Sequence, residues 1–395
     1  MSFYIEMKIS LHSLALLQAL VLFTALVAVA QPAQQGKYLF YVGTYTEDGS
    51  KSKGIYAYRF DPKTAAITPL GLAAESTNPS FVALHPNGRF LYAVNEVPNY
   101  KGPNSGGVSA FSIDHATGKL TFLNEVASRG ADPCYITVDK TGKYVLVANY
   151  TGGSVAVFPV APDGKLAEAS AFIQHTGRGP NSQRQEGPHA HSIDLSPDNK
   201  FAYVDDLGLD ELLVYKFDAA RGSLLPNNPP FAKLDAASGP RHFALRPDGK
   251  FAYVVAEMGH TVTALSNDAA NGKLQVVDKV MTLPDDFRDR NDDAEISVHP
   301  SGKFVYASNR GEDTIVVYAI DEAKGTLTQV ASHSTGGKEP RSFEIDPTGT
   351  FLFAENQKSD NIVVFRIDQK TGRLTPTGKI LEVASPVCVK FVATE

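Results

Sequence analysis

The segment GPRHFALRPDGKFAYVVAE, residues 239–257, carries an arginine and a histidine near one end and a glutamate at the other. Guanidinium, imidazole and carboxylate can together hold an anion and move a proton, provided that they come within hydrogen-bonding reach. Between them lie two hydrophobic runs and a Pro-Asp-Gly turn, the pattern of an antiparallel hairpin. Both outer tips of such a hairpin lie at the same end, about 20 Å from the turn for strands of roughly six residues. Arg241 and Glu257 are therefore expected to be neighbours in space.

The hairpin recurs. NPSFVALHPNGRFLYAVNE starts at Asn78, DPCYITVDKTGKYVLVANY at Asp132, AHSIDLSPDNKFAYVDD at Ala190, AEISVHPSGKFVYASNR at Ala294 and EPRSFEIDPTGTFLFAEN at Glu339. The turn residues Gly88, Gly142, Asn199, Gly249, Gly302 and Gly349 are spaced about 47 to 57 residues apart, in the range of propeller blades. A Val-rich run such as TIVVYAID follows each hairpin, and then a Gly-x-Leu segment such as GKLTFLNEV. Four short β-branched and aromatic strands per unit make a blade. A seventh unit is split between the termini, SPVCVKFV supplying its first strand and KYLFYVGTY its second. The expected fold is all-β: one seven-bladed β-propeller domain of four-stranded antiparallel blades over residues 31–395. Its ring is closed by N- and C-terminal strands, which removes the free sheet edges. An open solenoid would not explain why the two terminal fragments complement each other.

Aligned on the turn, the first strands of the copies begin near Ser80, Cys134, His191, Arg241, Ala294 and Arg341. The second strands end near Thr44, Glu96, Tyr150, Leu207, Glu257, Arg310 and Gln357. With the first strand innermost, these positions face the mouth of a central channel, and the opposite end repeats with bland chemistry. Repeat proteins place function in departures from the repeat, and His191, Arg241, Glu257 and Arg310 are such departures. Structural ion pairing between blades is the competing reading. The position before the rim holds Asn95, Asn149, Asp206, Asn309 and Asn356, whose regularity points to hydrogen bonds linking blades; Asn309, beside Arg310, is also a candidate substrate contact.

The longest departure, TGRGPNSQRQEGPHAHSIDLSPD, lengthens a loop leading to the rim and contains Arg184, Glu186, His189 and His191. Two residues apart in an extended chain, the histidines are expected to point the same way. With Glu257 or Asp206 they could hold a divalent cation. The surrounding arginines repel a cation and favour an anionic ligand, so no metal is expected. The acidic run DDFRDRNDDAE, residues 285–295, is expected to be a solvated loop from which Glu295 reaches the channel.

The 395 residues are 43% hydrophobic and 20% charged, enough to bury a large core. A net charge of -6 without a basic stripe argues against nucleic acid as a partner. Cys134 and Cys388 lie in strand-like runs and are expected to be buried free thiols. The absence of tryptophan argues against a quinone-dependent dehydrogenase, and no cofactor is expected. Residues 1–30 combine Lys8, the apolar run LALLQALVLFTALVAVA and Ala28-Val29-Ala30 before Gln31, the form of a cleavable signal peptide. Glu6 suits such a leader poorly, which makes Met7 an alternative start. The run of roughly 17 apolar residues is at the short limit for crossing a bilayer. A periplasmic or secreted protein without stable membrane insertion is expected.

RQEGPHAHSIDLSPDNKFAYVDDLG, GPRHFALRPDGKFAYVVAE, YASNRG and ANY followed by GGSVAVF resemble the seven-bladed lactonase family. That family includes propeller-type 6-phosphogluconolactonase and the fungal carboxymuconate-lactonizing enzyme, and the resemblance spans essentially the whole mature chain. It implies hydrolysis of a small anionic lactone of carbohydrate metabolism. It also implies a site of one His, two Arg and one Glu at the channel mouth, which map to His191, Arg241, Arg310 and Glu257, with His189 as the alternative histidine. On this pattern Glu257 takes a proton from water, Arg241 stabilises the oxyanion or holds a substrate carboxylate, and His191 protonates the leaving alkoxide. Arg310 and Arg341 would hold an anionic tail, and His189, Arg184, Asn309 and Glu96 would add substrate contacts. Export is a departure, because phosphogluconolactone is cytosolic, and fold similarity does not settle substrate. Two alternatives share the same rim: an exported non-catalytic propeller that binds a carbohydrate, lipid or protein, and a muconate-type lactonizing isomerase.

Overall fold

The computed structural model describes residues 38–394 apart from Asp48 and Lys101. The expected signal peptide, residues 1–30, lies outside the described residues. Seven four-stranded antiparallel sheets follow one another as blades. Their first strands are Pro386–Ala393, Val82–Leu84, Pro133–Val138, Ala190–Leu195, Pro240–Leu245, Asp292–Val298 and Pro340–Ile345. Neighbouring first strands touch one another around the axis. Across it, the rings of Phe81 and Tyr135 lie 5.9 Å and 5.1 Å from that of His242, three and two blades away.

Burial follows position in the blade. The second strands FLYAVN, YVLVAN, FAYVVA and FLFAEN are buried at every residue, so they carry nearly continuous apolar runs. The outermost strands, such as Lys273–Met281 and Leu374–Glu382, expose much of their length and carry lysine, glutamate and threonine. At the hairpin turns Gly88, Gly142, Gly249, Gly302 and Gly349 adopt φ of 70 to 71°, and Asn199 adopts 64°. That left-handed conformation is costly for residues with a Cβ other than Asn or Asp, which explains the conserved spelling of the turn within the chain.

The split blade closes the ring. Tyr38–Thr44 pairs with Pro386–Ala393 from Tyr38 opposite Ala393 to Thr44 opposite Pro386. Gly54–Asp61 and Ala66–Glu75 complete the sheet. Phe40, Phe60, Phe353 and Phe391 pack this seam with ring centroids 5.1 to 5.8 Å apart. Each such contact contributes about 0.5–1.5 kcal/mol beyond area burial. Cys134 and Cys388 are both buried and unpaired.

A recurring irregularity positions the site. The first strand of five blades slips register by one residue, between Pro133 and Tyr135, Ala190 and Ser192, Pro240 and His242, Pro340 and Ser342, and Pro386 and Cys388. The residues left without a partner are Cys134, His191, Arg241, Arg341 and Val387. A bulge re-aims its side chain out of the regular alternation. The rim asparagines do the linking work expected of them: the Nδ2 groups of Asn95, Asn149, Asn309 and Asn356 donate to the carbonyls of Thr77, Ser128, Thr282 and Thr335 in the segments entering their blades. Asp206 in the same position accepts from His175 Nδ1 at 2.6 Å instead.

Candidate active site

At one mouth of the channel the tips of the blades enclose a cavity of about 300 Å³. Arg241 rises from the bulge in its first strand, and Glu257 follows the second strand of the same hairpin. Arg241 Nε donates to Glu257 Oε2 at 2.9 Å. Arg310 Nη2, from the next blade, reaches the same oxygen at 2.9 Å, and Arg184 Nη2 pairs with Oε1. Both oxygens of Glu257 are thus occupied by guanidinium. Burial alone would push its carboxyl up, but Arg310, Arg241 and Arg184 outweigh burial and hold it at about 2.

These arginines make further contacts besides Glu257. Arg241 Nη1 donates to the carbonyl of Ala294 at 2.7 Å. Arg310 donates to the carbonyls of Asp292 and Asp293, and Arg184 Nη1 lies 3.4 Å from Asp292 Oδ1. Exposed Arg290 pairs with Asp292 Oδ2 at 3.0 Å. Arg341 differs from all of them. Its guanidinium lies 5.4 Å from the ring centroid of Tyr45 and has no hydrogen-bonded carboxylate or carbonyl among the described residues. It faces both the cavity and a chamber beneath it.

That chamber, about 10 Å³, is lined by Tyr45, Ser80, Glu96, His191, Arg241 and His242 among others. Glu96 Oε2 accepts from Tyr45 Oη at 2.8 Å and from Ser80 Oγ. Burial raises the Glu96 carboxyl above its ordinary range, and Arg341, Ser80 and Tyr45 offset only part of this. Burial also holds the His191 imidazole well below its usual range, helped by Arg241, His242 and Arg341. That shift favours the neutral imidazole of His191 over the imidazolium. His242 Nδ1 donates to Glu295 Oε1 at 2.8 Å, which leaves Nε2 to accept from Arg241 Nη1 at 3.2 Å.

The structure brings His191, Arg184, Glu257, Arg310, Arg341 and Glu96 to one cavity, with Arg241 immediately below. Two expected contacts are elsewhere. Asn309 is fully buried, its amide held by Thr282, Thr314 and Glu312. His189 stacks on Tyr150 at 4.6 Å and bonds to Glu186 and the Tyr150 carbonyl, outside the lining of the cavity. The bulge after Ala190 breaks the alternation on which the common direction of the two histidines rested. Nor is the acidic run all solvated loop: Asp292 opens a strand and lines the cavity, and Asp293 and Glu295 are buried.

Tyr45, Ser80, His242 and Asp292 went unselected in the sequence. Ser80 shares the aligned position of Arg241 and His191, and Tyr45 follows Thr44 at the aligned end of a second strand, so a weak signal existed for both. Nothing in the sequence marked His242 as the link between Arg241 and Glu295.

A family model described as a seven-bladed β-propeller lactonase matches residues 39–391. A 6-phosphogluconolactonase of Bacillus subtilis is 40% identical over 307 residues, covering 78% of this chain and 84% of the relative. A 6-phosphogluconolactonase of Formosa agariphila is 35% identical over 311 residues, covering 77% and 85%. The solved structure of a periplasmic gluconolactonase of Pseudomonas aeruginosa superimposes with a TM-score of 0.84 at 34% identity, covering 91% of this chain and 100% of that one.

Proposed function

The chain belongs to the seven-bladed β-propeller lactonase family and is a lactone hydrolase, and from that premise we propose that it opens an aldonolactone in the cavity bounded by Arg184, Glu257, Arg310 and Arg341. The observation that carries this reading is the guanidinium of Arg341, which has no hydrogen-bonded carboxylate among the described residues, in a cavity whose other arginines are each paired with one. A guanidinium without an acceptor is a preorganised donor for charge that the ligand brings or develops.

Ester hydrolysis places negative charge on the carbonyl oxygen as water adds. Arg341 would receive that oxygen, and no competing carboxylate needs to be displaced first. Arg184, Arg310 and Arg290 are neutralised by Glu257 and Asp292. They form a polar wall suited to ring hydroxyls. Arg241 braces Glu257 and the Ala294 carbonyl, which makes it a positioning residue. Neutral His191 contributes a hydrogen bond.

The relatives act, by their names, on a phosphorylated and on an unphosphorylated gluconolactone. The leader-like residues 1–30 favour an exported enzyme in the periplasm or outside the cell, and hence the unphosphorylated substrate. Residues 31–395 should be assayed by proton release against gluconolactone, 6-phosphogluconolactone and an aliphatic δ-lactone. Turnover of gluconolactone above the other two supports the proposal. A preference for the phosphorylated sugar overturns the unphosphorylated assignment, and a preference for the aliphatic lactone or silence across the panel overturns the sugar-lactone reading.

A further inference from the structure

Hydrolysis of a lactone needs a group that takes a proton from water, and such a group must have a lone pair to offer. Glu257 is poorly suited to offer one, because both its oxygens are engaged by guanidinium: Arg184 on Oε1, Arg241 and Arg310 on Oε2. Its low basicity follows from the same contacts. Glu96 has the opposite arrangement. Tyr45 and Ser80 both donate to Oε2, which fixes the carboxylate, while Oε1 has no protein hydrogen bond among the described residues. Glu96 also lines the outer cavity and the chamber below it, whose volume of about 10 Å³ is near the minimum for one water molecule. Arg341 faces the same two spaces.

Resting on the lactonase reading above, we propose that Glu96 is the general base of this enzyme, acting through Oε1 on a water held at the neck between chamber and cavity, with Arg341 receiving the oxyanion. The water oxygen bonds to the lactone carbonyl carbon as its proton passes to Oε1. The carbonyl π electrons move to the oxygen facing Arg341. The intermediate then collapses, the carbonyl re-forms and the bond to the ring oxygen breaks. The departing alkoxide takes the proton back from Glu96. The products are a hydroxy acid, which ionises to solvent, and the original carboxylate. One residue thus serves as base and then as acid, and no imidazolium is required.

The groups that face Glu96 set its titration: Arg341 from one blade, Tyr45 and Ser80 through their hydrogen bonds, and Asp132 from a neighbouring segment. Cys134 lies in the same chamber, its buried thiol held up and neutral. Because burial raises the Glu96 carboxyl, the fall of kcat/KM on the acid side should lie above the ordinary carboxylate range.

The experiment measures kcat, KM and the pH profile of the purified protein on the lactone that the wild type turns over best. Glu96→Gln should lower kcat by about 10²–10⁴-fold with KM little changed. Tyr45→Phe and Ser80→Ala remove donors that stabilise the ionised form, so each should move the acid limb to higher pH; these variants also serve if Glu96→Gln does not fold. A folded Glu96→Gln protein with near-wild-type kcat, or an acid limb unmoved by both donor deletions, overturns the role of Glu96 and leaves the lactonase reading intact. A wild type that hydrolyses no lactone takes down both.

Discussion

Arg241 Nε and Glu257 Oε2 lie 2.9 Å apart, although 16 residues and a hairpin turn separate them in the chain. The contact unites two blade positions that recur around the ring with other chemistry, Ser80 with Glu96 in one copy and Cys134 with Tyr150 in the next. Its consequence is a carboxylate devoted to organising guanidinium groups, beside a second carboxylate left free to react.

Removing the Glu257 charge leaves buried Arg241 without its counterion. Breaking a buried pair in this way costs roughly 3–5 kcal/mol, so Glu257→Gln should lower the urea midpoint markedly at pH 7. The folded carboxyl is depressed to about 2, against 4.5 as its ordinary value. The stabilisation is therefore fully present above pH 4.5 and disappears as pH falls through about 2. The difference between wild type and variant should narrow when the same titration is run at pH 3, and a gap independent of pH would contradict the ion-pair account.

Arg341→Gln is expected to separate activity from stability. Loss of one preorganised donor to a developing oxyanion typically costs about 10²–10³ in kcat. The fold loses a cation–π contact with Tyr45, worth roughly 0.5–2 kcal/mol, and the attraction between Arg341 and buried Glu96. It is relieved of a like charge that depresses Arg241. Parallel assays of turnover and thermal midpoint should show activity collapsing while the midpoint moves by a few degrees at most.

Glu355 is fully buried in a second strand, and among the described residues neither carboxyl oxygen has a hydrogen bond of good geometry, Ser342 being the neighbouring hydroxyl. Burial, reinforced by Glu344, holds its carboxyl well above the usual range. The unfolded chain ionises first as pH rises, so this residue subtracts stability progressively above its ordinary value of 4.5. Glu355→Gln should raise the melting temperature at pH 8, by an amount equivalent to roughly 1–3 kcal/mol, and much less at pH 4.5. Equal effects at both values would show that Glu355 is ionised in the fold.

Ring closure depends on the last strand. Deleting residues 386–395 removes the partner of Tyr38–Thr44 and the buried side chains of Val387, Val389 and Val392. At roughly 1.5–3 kcal/mol for each buried valine, this approaches the whole 5–15 kcal/mol stability of an ordinary protein. The truncated chain should lose its cooperative thermal transition by circular dichroism; a sharp transition near that of the full chain would show that the blades hold without closure.

The blade count, the split closing blade and the end of the molecule at which the charges gather were all legible in the sequence. Each rests on local rules: a turn that requires positive φ, a six-residue strand, and a register that brings position 241 beside position 257. The meeting of His191, Arg241, Glu257 and Arg310 followed from the same alignment. Asn309 was misplaced because its side chain could bond a linker carbonyl as readily as face the channel, and His189 because a bulge breaks strict alternation.

The amino-acid sequence by itself determined the ring and the set of side chains at its mouth, because hairpin geometry is settled by residues close together in the chain. Only the tertiary structure decided how those side chains share their charges. Three guanidiniums from separate segments converge on Glu257, while among the described residues Glu96 keeps one oxygen free of hydrogen bonds and Arg341 rests on the Tyr45 ring without a hydrogen-bonded carboxylate. Such pairings depend on distances across the closed ring, where ångström-scale placement divides a bound carboxylate from a reactive one.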